Sequence, residues 1–501
     1  MNVLHMLRNK TNKNDESVFR ITLVISALVA GAISLFIGLR QSVWFDEAYS
    51  IIVAKRSITD IMSLSAIDVH PPTYYLLLKG WAELFGWSEL ALRSFSVLAL
   101  VATIAVAGLL VKKMFGPRIA VVTLLVMMIA PLLLRYGFEI RMYALAMLIG
   151  IAATYALVSA VQFKGKEATR WKIAYVVLVA LGMYTLYYLA LLWLAHLAWI
   201  VYLHVAHKGT VANVWRWVLL YAASFVLFMP QIPNVIQQFT NGALAPIGQP
   251  LDLQNLIGIA SFNTVYQPLW MLSMIASVVV LLAIGTVGYL VNRAFKLTSK
   301  RDELVLLAMY IGVPIVILLL ISLFKSMYVE RYLVDVAIGL LMLVGVSLGI
   351  VITDKSKRVR RVRIALSSVV FVSLGFGVLQ LLAVGNYNFQ RLETPTVKQL
   401  ASSLADCATL PVVAEGPYTA IELDYYIGDS CDIYFVSEGA ELGGGYAPLS
   451  RSPLRVGNLD EVPFNAFTYV TYNKDDVTTS RFTNTSETTF GKLSKLRFSA
   501  E

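Results

Sequence analysis

The chain has 501 residues, 58% of them hydrophobic and 14% charged, with a formal net charge of +10. Soluble domains run at roughly 45–50% apolar and about 25% charged, so this composition excludes an ordinary soluble globular protein. The positive charge does not indicate a nucleic-acid partner. Lys and Arg fall in short clusters between apolar runs, as they do in the cytoplasmic loops of membrane proteins.

The first apolar run, Phe19–Leu39, lacks a small-residue cleavage site and is expected to stay as a span. Further apolar runs lie at 92–111, 118–134, 142–163, 173–190, 191–206, 215–232, 269–292, 304–324, 332–352 and 364–385. Each approaches the roughly 20 residues that cross a bilayer. The expected fold is a polytopic α-helical membrane protein with about eleven transmembrane helices. The spans read as apolar, with ionisable residues mainly at one face. The segment Pro72–Gly86 is apolar but short, covering about 22 Å as a helix. Lys79 and Glu83, four residues apart, share one of its sides, which predicts a helix lying in the interface. If that segment does not span, the basic clusters around Lys112, Lys164, Lys208, Arg293 and Lys355 all face one side. The N-terminus is then cytoplasmic and the C-terminus outside.

From about residue 386 the composition becomes that of a globular domain. The pattern predicts helices at 395–406 and 418–427, and strands at 411–415, 432–436, near 466–472 and near 489–498, with a Gly-rich loop at 439–446. This gives a division into a transmembrane domain, 1–385, with its first outer loop at 41–91, and a small C-terminal α/β domain, 386–501. Cys407 and Cys431 each precede a predicted strand. Parallel neighbouring strands would bring them together for a disulfide in an oxidising compartment; two buried thiols are the alternative. No Cys/His pattern suggests a structural zinc site.

Charge near the apolar phase is costly, so its position is informative. Four patches fall on the outer side. They are Trp44-Phe45-Asp46-Glu47, Asp68-Val69-His70-Pro71-Pro72, Glu139-Ile140-Arg141-Met142-Tyr143 and Glu330-Arg331-Tyr332. Together they supply carboxylates, an imidazole and two guanidiniums, a set able to bind a lipid phosphate and deprotonate a hydroxyl. Taken singly, each has a plainer reading: a solvated acidic pair, a Pro-Pro chain break, or a local ion pair at a span end.

In that order and spacing the patches resemble the GT-C membrane glycosyltransferases, and within them the bacterial branch of the protein O-mannosyltransferase-like superfamily, glycosyltransferase family 39. The likeness covers about residues 19–350. It rests on Asp46-Glu47, on the D-x-H-P-P element at 68–72 with the following Tyr-Leu run, on the E-x-R-x-Y-A-L element at 139–145, and on Arg331-Tyr332-Leu333. The resemblance implies transfer of a sugar from a polyprenyl-phosphate donor to a hydroxyl acceptor on the non-cytoplasmic face, with inversion, in a bacterial inner membrane. It implies Asp46 as general base with Glu47 in support. His70, Arg141 and Arg331 would surround the donor phosphate, and Asp68, Glu139, Tyr143 and Tyr332 would contact the sugar or those groups. No cofactor is firmly implied, although Asp46, Glu47, Asp68 and His70 are of the type that binds a divalent cation.

The sequence departs from eukaryotic members at Thr73-Tyr74-Tyr75, where O-mannosyltransferases tend to have L-[AG]-K, and it lacks their β-trefoil insert. The aminoarabinose-transferase branch has lysine where this chain has His70. Two other classes stay open on sequence alone: a transporter of lipid-linked glycans, and a non-catalytic subunit of an envelope assembly.

Overall fold

The computed structural model describes residues 2–240, 253–266, 273–324, 328–354, 360–384, 396–438, 442–450 and 452–500. The expected domain boundary at 385/386 and part of the Gly-rich loop, 439–441, lie outside these residues, as does the side chain of Glu330. The chain forms two compact units. One comprises Met1–Phe36, Ser96–Ile232 and Ala245–Ala383, and the other Ile37–Phe95, Pro233–Leu244 and Val384–Glu501.

The first unit is helical. Across the described residues, nine helices are long and apolar enough to cross a membrane, among them Lys13–Leu39, which runs into the second unit. They become ten if the bent pair Pro117–Met128 and Pro131–Gly137 counts as one span. The eleventh expected run, 173–190, falls on the helix Gly165–Met183, whose first two turns carry Lys166, Glu167, Arg170 and Lys172. The bent pair turns by 65°. Pro131 supplies no N–H and biases the residue before it away from helix, and Ala130 is indeed extended at φ −78°, ψ 112°. This break re-aims the chain and sets the short helix Pro131–Gly137 just ahead of Glu139 and Arg141. Small residues let the helices approach. A Cβ on Gly345 would sit 2.6 Å from the Thr123 Cα, so glycine permits the close packing of Val334–Thr353 on Pro117–Met128.

The spans are less uniformly apolar than their sequence suggests. His196, buried in Leu189–Ala206, meets the Thr154 hydroxyl at 3.0 Å and the Tyr175 hydroxyl at 3.2 Å. Tyr175 and Tyr221 share a hydrogen bond of 2.7 Å, and Tyr221 donates to the Trp193 carbonyl at 2.7 Å. This chain ties four helices together through groups that have no water to turn to. Asp335 is also buried, in the first turn of Val334–Thr353, with its carboxyl against Gly150.

The second unit joins the loop that follows the first span to the C-terminal segment. The loop folds as three helices, Phe45–Lys55, Ile58–Ile67 and Thr73–Phe85. The last is the expected interfacial element. It buries Tyr74, Tyr75, Leu78 and Ala82 on one side, while Lys79 and Glu83 pair at 2.8 Å. Residues 412–500 form a six-stranded sheet of order β3-β2-β1-β4-β6-β5, with β1 Val412–Ala414, β2 Ile433–Val436, β3 Arg455–Val456, β4 Ala466–Thr471, β5 Phe482–Phe490 and β6 Leu493–Ala500. β1 lies between β2 and β4, parallel to both, and β2 is parallel to β3; β6 pairs antiparallel with β4 and β5. The parallel strands are buried beneath the helices Thr396–Ser402 and Pro417–Ile427, as parallel sheets require.

Cys407 and Cys431 form a disulfide with Cα atoms 5.9 Å apart, just before the parallel strands β1 and β2. The bond closes a loop with a sequence separation of 24. Replacing both cysteines with serine is expected to destabilise the second unit by about 2–4 kcal/mol. A urea midpoint unchanged between this variant and wild type would contradict that.

Candidate functional site

The expected site residues fall into two clusters, one in each unit. In the second unit the sequence Trp44-Phe45-Asp46-Glu47 begins the helix Phe45–Lys55, so both carboxylates stand in its first turn. That is where the helix dipole favours negative charge. Glu47 also accepts from the Trp44 amide at 3.3 Å, satisfying one of the helix's leading N–H groups. Asp46 and Glu47 are both buried. Burying such carboxylates needs a counter-charge, and for Glu47 Arg93 supplies it. Its guanidinium reaches Glu47 Oε1 at 2.6 Å and Oε2 at 3.2 Å, and both side chains are out of solvent.

Asp68 and His70 lie between the second and third loop helices and are buried. Tyr75, on the helix that follows Pro71-Pro72, donates to Asp68 Oδ2 at 3.2 Å. Its ring also meets Tyr49 edge-on at 6.1 Å. Tyr49 stands three residues after Asp46, on the same side of the acidic helix. The structure thus unites the first two patches through Tyr49 and Tyr75.

In the first unit, Glu139 pairs with Arg135 at 3.2 Å, both fully desolvated, and the Glu139 carbonyl accepts from Ser96 Oγ at 2.6 Å. Arg135 lies over the rings of Tyr136 and Phe138. Arg141 is buried two residues on, its amide bonded to the Glu139 carbonyl at 2.7 Å. Tyr143 then packs on Tyr136, with centroids 5.2 Å apart, and on Tyr332 at 6.4 Å. Tyr332 in turn meets Tyr188 at 4.8 Å. The Arg331 guanidinium stands 5.8 Å from the Tyr332 centroid. The third and fourth patches therefore share one row of tyrosines.

Sequence reasoning missed the parts played by Arg93 and Arg135. Arg135 stands four residues before Glu139, a spacing that signals a pair on a helix. Arg93 lies 46 residues from Glu47, and no local signal joins them. Among the described residues, no group of three or more His, Cys, Asp or Glu side chains is arranged to hold a metal ion. Asp46, Glu47, Asp68 and His70 therefore do not form such a set.

Comparisons with known proteins agree with the fold. Residues 69–233 match the family described as dolichyl-phosphate-mannose-protein mannosyltransferase. That stretch contains His70, Glu139, Arg141 and Tyr143. No curated protein sequence matches the chain. Among solved structures, ArnT from Cupriavidus metallidurans superposes in its apo state with a TM-score of 0.61 at 15% identity, over 96% of this chain and 98% of that one. The same protein bound to undecaprenyl phosphate gives 0.58 at 15% identity, over 95% and 97%. The archaeal oligosaccharyltransferase AglB from Archaeoglobus fulgidus, in complex with an inhibitory peptide and a dolichol-phosphate, gives 0.52 at 11% identity, over 81% and 63%. The chain is a multi-pass membrane protein with the GT-C glycosyltransferase fold. Within that fold it is similar to ArnT over nearly the whole length of both chains.

Proposed function

We propose that the protein transfers a sugar from a polyprenyl-phosphate donor to a hydroxyl of a glycan, lipid or protein acceptor, on the non-cytoplasmic face of a bacterial inner membrane. The observation that carries this reading is the row of tyrosines in which Tyr143, two residues after buried Arg141, meets Tyr332 beside half-buried Arg331, on a fold whose solved relative holds undecaprenyl phosphate.

The acceptor oxygen attacks the anomeric carbon as the bond from that carbon to the donor phosphate oxygen breaks. The sugar inverts, and the bonding pair leaves with the phosphate. Asp46 takes the acceptor proton, and Glu47, held by Arg93, fixes the acidic turn. Arg141 and Arg331 meet the negative charge that grows on the leaving phosphate, and the D-x-H-P-P resemblance assigns His70 to the same phosphate. Asp68, Glu139, Tyr143 and Tyr332 hold these groups or touch the sugar. Phosphate leaves readily, so no general acid is required, unlike the two-carboxyl arrangement of glycosidases.

Binding of undecaprenyl phosphate to nanodisc-held protein tests the donor assignment. A hydrogen bond to a charged group is worth about 1.5–3 kcal/mol. Arg141→Ala and Arg331→Ala are each expected to weaken binding by roughly 10- to 100-fold, and Asp46→Asn to leave it unchanged. Full affinity in both arginine variants would overturn the assignment.

A further inference from the structure

Residues of the C-terminal domain hold the start of the acidic helix through its first side chain and the backbone just before it. Phe45, the residue before Asp46, is stacked on Tyr418 with centroids 4.4 Å apart and planes inclined by 10°. Tyr446 meets the same ring edge-on at 5.4 Å. A Cβ on Gly445 would come within 3.3 Å of the Phe45 ring, so the end of the Gly-rich loop runs close against it. The backbone just upstream is held as well. The Val43 amide donates to the Tyr426 hydroxyl at 2.7 Å, and Tyr426 donates onward to Glu89 Oε1 at 3.1 Å. The Lys398 ammonium binds Glu89 Oε2 at 2.9 Å, while the Lys398 amide donates to Ser42 Oγ at 3.1 Å. Burial and the nearby Glu89 carboxylate push the Tyr426 hydroxyl above its usual range, so it stays protonated and keeps both bonds. Tyr418 and Tyr426 are eight residues apart on the helix Pro417–Ile427 and so lie on one side of it.

The residues that flank Asp46 are thus set by groups more than 350 positions further along the chain, the Tyr426 side chain and the Lys398 amide among them. We infer that Tyr418 and Tyr426 are positioning residues for the Asp46–Glu47 turn, which makes the C-terminal domain a working part of the transfer reaction. The inference rests on the reading of Asp46 as base. A carboxylate base acts only within hydrogen-bond reach of the proton it removes, and a displacement of about 1 Å costs roughly a hundredfold. Clamping the residue before the base, and the amide three residues before it, restricts that displacement.

The test is steady-state kinetics on the full chain in nanodiscs, with Tyr418→Leu, Tyr418→Phe, Tyr426→Phe and Asp46→Asn beside wild type. Tyr418→Leu and Tyr426→Phe are expected to lower kcat about 10- to 100-fold, with donor KM and undecaprenyl phosphate affinity unchanged. Tyr418→Phe, which keeps the stacked ring, is expected to restore activity. Hydrogen exchange at the Val43 amide is expected to speed up in Tyr426→Phe, a readout independent of turnover. In the Asp46→Asn background, adding Tyr418→Leu is expected to cost nothing more. If Asp46→Asn is inactive while folded Tyr418→Leu and Tyr426→Phe retain full kcat, the positioning role is overturned and the base assignment stands. If Asp46→Asn is fully active, the base assignment fails first.

Discussion

Asp46→Asn is expected to lower kcat by about 10²–10⁴-fold, the usual worth of a positioned general base, with the protein still folded and still binding undecaprenyl phosphate. Asparagine keeps the shape of the side chain and its place in the first helical turn, but it cannot take a proton. The change therefore separates chemistry from architecture. Neighbouring Glu47 is poorly suited to stand in, because both its oxygens are already engaged by Arg93 at 2.6 and 3.2 Å. Wild-type kcat in folded Asp46→Asn would remove Asp46 from the mechanism.

The second large effect is on stability. Arg93→Ala leaves the buried Glu47 carboxylate without its counter-charge. Breaking one side of a buried ion pair costs about 3–5 kcal/mol, so this variant is expected to unfold at markedly lower denaturant or to fail to accumulate. Replacing both partners, as in Glu47→Leu with Arg93→Met, removes the desolvated charges together and is expected to recover most of that stability. Denaturation of the pair of variants checks this. A single variant as stable as wild type would show that the ion pair is not what holds the acidic turn.

The parts of the fold legible in the sequence were those governed by local pattern. Span-length hydropathy located the helices of the first unit, and alternation located β1, β2 and β4 near their observed ends. The strand signals after Cys407 and Cys431 set both thiols just ahead of strand starts, and the parallel pairing of β1 with β2 brings them together in the disulfide. β5 was missed because Phe-Thr-Asn-Thr-Ser-Glu-Thr-Thr-Phe is largely exposed at the sheet edge and so carries no apolar alternation. The run 118–134 read as one span because hydropathy does not register the break at Pro131.

The candidate site divides in the same way. Short-range motifs named the residues at 46–47, 68–72, 139–143 and 331–332, since each lies in one compact stretch of sequence. The links that join them pair by pair are aromatic contacts between distant segments, Tyr49 with Tyr75 and Tyr143 with Tyr332. Aromatic residues are common throughout this chain, so composition gave no sign of which would meet. The hold of Tyr418 and Tyr426 on the residues beside Asp46 is of the same kind, because side-chain fit over hundreds of residues leaves no periodic trace.

The central claim is that a sugar–phosphate bond is broken and the sugar passed to a hydroxyl. It is tested most directly by incubating nanodisc-held protein with a panel of polyprenyl-phosphate sugars and envelope acceptors, and measuring free polyprenyl phosphate beside glycosylated acceptor. The expected result is equal amounts of both products from at least one donor, absent with Asp46→Asn. Folded protein that binds the donor and moves it between leaflets while its sugar–phosphate bond stays intact would contradict the account and support a transporter.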